Sequence, residues 1–523
     1  MKNLTILTLL LFIVSCSSSE SDGNEQNLDN PTNNDNQSPT ISLQNTLSGI
    51  VEELTNLVIS VSDNSDDVQT VITVNGEEVF STNQLNFTYS IDPFDFNDGP
   101  KTLNIKATDE AGNEIEEQLS FDTKKFLFSI PDYQGNLSTS ERRIFVGLNL
   151  KNGELISYRE LMSSEDGTFY AEDGFERQDI VATIYDFNEN SREIISFTDI
   201  PAGTKIPDFD DVKMKFFQPL EEISNFNVAI TYDLGFPLEP FTLESRTFSY
   251  DEKGGGSSGN VQNLNCLYNP SSPPTDLFIY FHENSLDPTN YRYLSQPITD
   301  LSDKAYNLSE FSEDWSNSQI SIPSGISSYS ILMNGFTDEQ AYQNNEFREF
   351  YRIFRRNQIP TEPVNIPTIP QFPIIQQRLS IDLAPGVFGL AWIKGTGTFT
   401  IPDRTVNLSE VSAEVIGEFN SYRVSLGIRR EPLDFSSPGI LWSYYGDYQP
   451  FIEYPYKTLQ IPGEVTNLFE VQGYDLSQFE QSGSEEILLT LYDYELDAPY
   501  NERIFYEYKG NEKGNRIEMS YID

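Results

Sequence analysis

Apolar residues that recur with a period of two limit what this chain can fold into. Phe87, Tyr89 and Ile91 alternate with polar neighbours, as do Leu103, Ile105 and Ala107, and Leu119 and Phe121 continue the pattern. Successive strand residues face opposite sides, so this spacing lays one apolar face along each strand. Asn75-Gly76 stands between Val71–Val74 and Glu77–Phe80. A tight hairpin turn needs positive φ at two successive residues, which Asn-Gly supplies. The strand pattern includes Leu57–Ser62 and returns at Arg143–Leu150, Ile180–Tyr185, Phe226–Tyr232, Leu277–Phe281 and Glu486–Tyr492. The expected fold class is all-β, built of tandem antiparallel β-sandwich domains on an acidic, disordered tether.

A chain of 523 residues with 36 Phe and 28 Tyr has material for several cores. Residues 39–123 read as one β-sandwich. Gly254–Gly259 is a flexible Gly/Ser run, and Pro360, Pro363, Pro367, Pro370 and Pro373 make a stiff segment that cannot donate ladder hydrogen bonds. Divisions there give a β-sandwich-like domain over 124–260, a β-rich domain over 261–373 ending in the Pro-rich linker, and a last sandwich-like domain over 374–523. A repeat of about 60 residues runs through the last. Ile401-Pro402 leads to Val406–Val411, then Tyr422–Ile428, then Ile440–Gly446; Ile461-Pro462 leads to Thr466–Val471, then Ile487–Tyr492, then Ile504–Gly510. One stretch leans to helix: Phe347, Phe350, Tyr351 and Phe354 fall at helical spacing after Asp338, a capping residue, with a strand pair as the alternative.

The first sixteen residues are of another kind. Lys2 is their only charge, Leu4–Val14 is apolar apart from Thr5 and Thr8, and the run ends in Ile13-Val14-Ser15-Cys16. A helix of that length, at ~1.5 Å per residue, falls short of a ~30 Å hydrocarbon core. The stretch resembles a bacterial lipoprotein signal peptide with its lipobox. The resemblance implies removal of residues 1–15, acylation of Cys16 (palmitate among the chains), and firm attachment to the outer membrane. With Cys16 so used, Cys266 has no partner and no internal disulfide is expected. Ser17–Ser38 holds five acidic residues, no Lys or Arg, and Leu28 as its one large apolar residue; it reads as an extended tether. Ser17–Asp22 resembles the acidic export signals of surface-exposed lipoproteins in some Gram-negative bacteria, which implies the cell surface. Ile59–Asp63, Val74–Gly76 and Ala107–Asn113 resemble bacterial Ig-like domains, which implies a spacer or adhesive module over 39–123.

Charge and chemistry exclude several functions. The net charge is −48, from 81 Asp and Glu against 33 Lys and Arg, which repels nucleic acid. His282 is the only histidine, so two-histidine mechanisms and HExxH or paired-cysteine zinc sites are absent. Gly255–Gly259 spells Gly-x-Ser-x-Gly around Ser257, but without the strand, helix and base that a hydrolase elbow needs. Asp186-x-Asn188-x-Asn190 begins like a calcium loop, then carries Ser191 and Phe197 where Gly and Glu belong.

Three sets of residues remain as site candidates. Trp442, Tyr444, Tyr445, Tyr448, Phe451, Tyr454 and Tyr456 crowd one stretch; rings stack on sugars or on proteins, and they also fill cores. Arg348, Arg352, Arg355 and Arg356 are the densest basic cluster; on a helix they share one side and grip a carboxylate or sulfate, or they pair with acidic surface. Asp63, Asp66, Asp67 and Asp109 offer oxygens to Ca²⁺, the one cofactor considered, whereas Asp109–Asn113 also reads as a tight turn with Gly112 at positive φ. No catalytic residues are assigned. The function expected is that of a non-catalytic, membrane-anchored binding protein for a glycan or an envelope protein. A carboxylate-based polysaccharide enzyme and an accessory subunit of an outer-membrane transport or secretion complex are the rivals.

Overall fold

The computed structural model describes residues 35–64, 67–130, 142–162, 167–188, 192–206, 224–231, 239–241, 250–252, 261–268, 270, 273–282, 291–343, 346–409, 412–428, 440–454, 458–471, 474, 476, 487–494 and 515–522. The protein is all-β; among the described residues the α-helices are Glu339–Gln343 and Gly463–Val471. It divides into two compact units, Met1–Asp92 with Gly99–Thr123, and Pro93–Asp98 with Lys124–Asp523.

The first unit is a β-sandwich. One sheet orders Thr40–Leu43, Thr55–Ser62 and Asn86–Ile91; the other orders Ile50–Val51, Glu114–Thr123, Gly99–Asp109, Val68–Val74 and Glu77–Thr82. The period-two residues fill it, with Leu57, Ile59, Leu103, Ile105 and Ala107 fully buried. Asn75 and Gly76 have φ of 51° and 87°, the double positive turn that this dipeptide favours.

The second unit is organised by one sheet of twelve strands. In chain order they are β1 (Arg142–Leu150), β2 (Leu155–Glu160), β3 (Asp179–Asn188), β4 (Arg192–Pro201), β5 (Ser328–Phe336), β6 (Arg348–Arg356), β7 (Ile374–Ala384), β8 (Val387–Lys394), β9 (Ser421–Ile428), β10 (Ile440–Asp447), β11 (Ile487–Tyr494) and β12 (Arg516–Ile522). Across the sheet the order is β2-β1-β3-β4-β10-β9-β11-β12-β8-β7-β5-β6. Every pairing is antiparallel except β4 with β10.

Side chains alternate between the two faces. On the first face Trp442, Tyr444, Val424 and Leu489 pack with Ala413, Val415, Ile452, Val465 and Phe469, and further along Ile331, Leu379, Ile381 and Ala391 pack with Ile320, Val364 and Ile366. On the second face Val146, Ala182, Ile195, Phe197 and Tyr445 pack with Leu127, Phe128 and Phe169. Past β10 that second face carries Arg423, Thr490 and Ser520, then Phe388, Leu390 and Trp392 of β8, and beyond β8 it is mostly polar, with Arg378, Ser380, Ser330 and Arg352.

The structure differs from the sequence reading in four places. Strands from 124–260, 261–373 and 374–523 share the sheet, so the divisions near 260 and 373 do not separate compact units. The Pro-rich segment is part of a core: Val364–Thr368 pairs with Ser316–Ile320 in a two-stranded sheet, with Pro367 opposite Asn317. Proline is tolerated there because a strand with one neighbour leaves its other side without ladder bonds. The helix after Asp338 stops at Gln343, although Asp338 does cap it, its Oδ1 accepting the Ala341 N–H at 2.8 Å. Phe350, Tyr351 and Ile353 lie instead on strand β6, where Tyr351 and Ile353 face Met333 and Ile331 across the ladder. Burial on a sheet outweighs a helical spacing of rings. Finally, the repeat begins on unlike structures. Thr405–Leu408 is a strand, whereas Thr466–Val471 lies in the helix Gly463–Val471.

Candidate functional site

The aromatic stretch is a core, not a ligand surface, for four of the seven residues singled out. Trp442 and Tyr444 are fully buried, and Tyr445 and Tyr454 nearly so. Alternation sends Trp442 and Tyr444 to one face of β10 and Tyr445 to the other, and both faces are covered there. Trp442 stacks on Tyr444 with centroids 5.0 Å apart, and its Nε1–H donates to Ser196 Oγ at 3.0 Å. Tyr445 stacks on Phe197 at 5.6 Å. Tyr448 and Phe451 are exposed, at 47% and 52%, with Tyr448 packed on Phe419. Tyr456 lies outside the described residues.

The four arginines do not act as one patch, because they sit on a strand with two irregularities. The register of β6 against β5 shifts between Tyr329 and Ile331 and again between Met333 and Asn334. Arg348 is opposite Gly335 and Arg356 opposite Tyr329, on the face that carries Ile331 and Met333; Arg352 is opposite Leu332, on the other face. A bulge changes which face the residues beyond it use. Arg348 is nearly buried and spends its charge on Asp276, with Nη2 at 2.9 Å from both carboxylate oxygens.

The shifts bring Arg352 and Arg355 to a pocket of about 240 Å³ on the polar face. It is lined by Ser330, Ile331 and Leu332 of β5, Arg352, Ile353 and Arg355 of β6, and Arg378 and Ser380 of β7. Arg378 joins because Leu332 has Arg352 opposite it on one side and Arg378 on the other. The sequence reading missed it, since 26 residues and two ladders separate it from Arg352.

Each guanidinium is held from outside the pocket. Arg352 pairs with Glu349, whose side chain is 5% exposed and accepts the Tyr280 hydroxyl at 2.7 Å. Arg355 pairs with Asp382 at 2.6 Å, and its Nε donates to Ser328 Oγ at 3.1 Å. Arg378 lies over the Trp392 ring, 5.4 Å from its centroid, and that ring also carries Arg516 at 4.5 Å. A ring fixes a guanidinium without neutralising it. Among the described residues Arg378 makes no ion pair.

Carboxylates gather elsewhere. In the first unit the carboxylates of Asp35, Asp63 and Asp109 lie within 4.8 Å of one another. Two of these three, Asp63 and Asp109, belong to the set expected from sequence; Asp35 joins them, Asp66 lies outside the described residues, and Asp67 is exposed. Ca²⁺ takes oxygens at ~2.3–2.6 Å, so the spacing admits it, but ~6–8 ligands are its usual number. Amides already hold two of the three carboxylates, Asp109 and Asp35. Asn113 donates its N–H to Asp109 Oδ1 and its Nδ2 to Oδ2, both at 2.8 Å, and Asn64 Nδ2 donates to Asp35 Oδ1 at 2.8 Å. Gly112 closes the turn at φ 88°. Burial works against ionisation of Asp109, but the Asn113 side chain and the backbone N–H groups of residues 111–113 outweigh it and lower its pKa. In the second unit Asp186 and Glu193 are opposite each other on β3 and β4. Burial and the Asp186 charge raise Glu193, while Arg142 forks onto Asp186 with Nε at 2.8 Å. Neither lines the pocket.

His282 is buried at the end of its strand, its ring 4.7 Å from Tyr351 and stacked parallel to Tyr280 at 6.0 Å. Cys266 is buried within an apolar cluster. Cys16 and Ser257 lie outside the described residues.

No protein-family model matches this chain, and no curated protein matches it. Among solved structures it is similar to the fibronectin(III)-like modules of Clostridium thermocellum CbhA, at 10% identity over 31% of this chain and 94% of that one, with a TM-score of 0.16. It is also similar to SGBP-B of the Bacteroides ovatus mixed-linkage glucan utilization locus, solved with a mixed-linkage heptasaccharide. There the identity is 10% over 64% of this chain and 92% of that one, with a TM-score of 0.16. At such TM-scores neither likeness says what this chain does.

Two outcomes follow from these assignments. Trp442→Ala removes a fully buried ring and leaves a cavity, which costs about 3–5 kcal/mol; a lower urea midpoint is expected, and an unchanged midpoint would return Trp442 to the surface. The Asp109 turn is expected to stand on its amides. Its lowered pKa means that its stabilisation is complete above the ordinary carboxyl value of ~4 and is lost as pH falls through the lower folded value. Asn113→Ala therefore lowers the melting temperature at pH 7 and flattens its fall on acidification, while melting is the same in EDTA and in millimolar CaCl₂. A rise in melting temperature on adding Ca²⁺, abolished by Asp63→Asn, reassigns the trio as a metal site.

Proposed function

We propose that this is a non-catalytic binding protein, anchored in the outer membrane through acyl chains on Cys16 and facing the cell surface. Its second unit takes a glycan or an envelope protein. The observation that supports this reading is the make-up of the arginine pocket. Three guanidiniums, two hydroxyls and the Leu332 side chain line it, and its lining holds neither a carboxylate nor an imidazole. Serine hydroxyls without a proton acceptor bind rather than attack. The guanidiniums are pre-positioned by partners behind them, which suits recognition at low entropic cost.

Among the described residues no helix is long and apolar enough to cross a membrane, so in this reading attachment rests on Cys16. Cys16→Ser is expected to shift the protein from the membrane fraction to the soluble fraction. If it stays in the membrane fraction, the anchor is elsewhere. Pull-down of the intact protein from its own membrane, with identification of both proteins and glycans, tests the binding role. A specific glycan or envelope protein is expected, and recovery of neither would end it.

A further inference from the structure

We infer that the pocket between β5, β6 and β7 binds a singly charged oxyanion, the carboxylate or sulfate ester of one acidic sugar residue. The sugar part rests on the binding role proposed above; the oxyanion part rests on the pocket itself.

Charge sets the sign of the ligand. The chain has 81 acidic residues for 33 basic ones, so a cation here has every opportunity to be neutralised. Arg352 and Arg355 are neutralised, by Glu349 and Asp382. Arg378 is held by the Trp392 ring instead and keeps its charge. The pocket with the partners behind it therefore holds three positive and two negative charges, an excess of one.

Geometry sets the class. Guanidinium N–H groups arranged as a fork match the two oxygens of a carboxylate, or two of those of a sulfate ester. Ser330 and Ser380 flank Arg378 from β5 and β7, opposite each other across the ladder, and add hydroxyl donors. Of the apolar residues lining it, Leu332 shares the face of Arg352 and Arg378 and offers its side chain to the body of a ring, while Ile331 and Ile353 point into the core on the other face. A volume of about 240 Å³ is small against drug-sized sites of ~300–1,000 Å³, so it admits one sugar residue rather than an oligosaccharide.

The site is also built rather than incidental. Glu349 is buried, and the Tyr280 hydroxyl holds it from a different strand. That chain of contacts fixes Arg352 before any ligand arrives, whereas long surface arginines ordinarily pay side-chain entropy on binding.

The test uses the full chain at 150 mM NaCl, with calorimetry against sodium glucuronate, a singly charged sulfate in the form of sodium methyl sulfate, and glucose, and against polygalacturonate, a sulfated galactan and an uncharged β-glucan. Glucuronate or methyl sulfate is expected to bind and glucose not to, with the two anions distinguishing a carboxylate from a sulfate source. The corresponding polymer should bind more tightly. Arg378→Ala and Arg355→Gln should each weaken binding about tenfold or more. Arg355 is largely exposed, so its variant is expected to fold even if loss of the Arg378–Trp392 contact lowers stability; melting curves of both check this. If the uncharged glucan binds as well as the acidic polymers and neither variant matters, the pocket assignment falls while the binding role stands. If the small anions bind the wild type and not the variants, yet no polymer binds, the pocket stands and the glycan reading falls. If neither glucuronate nor methyl sulfate binds, the inference is overturned.

Discussion

Five residue pairs, from Glu193 opposite Leu441 to Phe197 opposite Tyr445, join β4 to β10 and make one sheet of the second unit. Among the described residues they are the one parallel ladder of the twelve-stranded sheet, and parallel pairing is slightly the weaker kind per residue. Side chains reinforce it. Trp442 donates to Ser196 across 246 residues of sequence, the Thr198 hydroxyl donates to the Tyr445 carbonyl at 3.1 Å, and Phe197 stacks on Tyr445. Closing so long a loop costs only logarithmically more than closing a short one, so a compact joint with buried rings can offset it. The rings spent on this joint are those that looked free for a ligand. The surface left for binding therefore lies at the other end of the sheet, past β8, where the second face is mostly polar.

Strands were legible because period two is local. Val68–Val74 with Glu77–Thr82, and Ile487–Tyr494, fall where alternation and turn residues put them. Sheet order was not legible, because pairing depends on which faces find cover. Val406–Val411 and Thr466–Val471 show how local chemistry divides similar sequences. Both contain Asn-Leu-x-Glu-Val, yet the second follows Pro462-Gly463-Glu464, which suits a helix start, and places Phe469 four residues after Val465. Both of those side chains are buried on one helical side. Ser409 stands where Phe469 does, and the first copy begins as a strand.

The site was half legible. Arg352 and Arg355 were visible as part of a basic cluster, but a helical wheel grouped them with Arg348 and Arg356. Two register shifts along β6 undo that grouping, and bulges leave little trace in a sequence without an Asn or Gly to mark them. Arg378 did leave a trace. Gln376, Arg378, Ser380 and Asp382 alternate with Gln377, Leu379, Ile381 and Leu383, and three of those four alternates are apolar. That is a strand with one polar face, and its arginine makes no ion pair among the described residues.

The acidity of the chain and the cationic pocket act at different ranges. A net charge of −48 repels a polyanion at distance, but at physiological ionic strength the field decays over ~8 Å. Contacts inside the pocket are shorter than that and partly shielded from salt. A neutral ligand gains weaker hydrogen bonds and no charge pairing from Arg378, a cationic one is repelled, and a multiply charged anion exceeds the single charge available. Selectivity for one oxyanion per pocket thus comes from leaving one guanidinium on a tryptophan ring while its two neighbours are neutralised. The acidic surface elsewhere lowers non-specific attachment to the anionic polymers among which such a site would work.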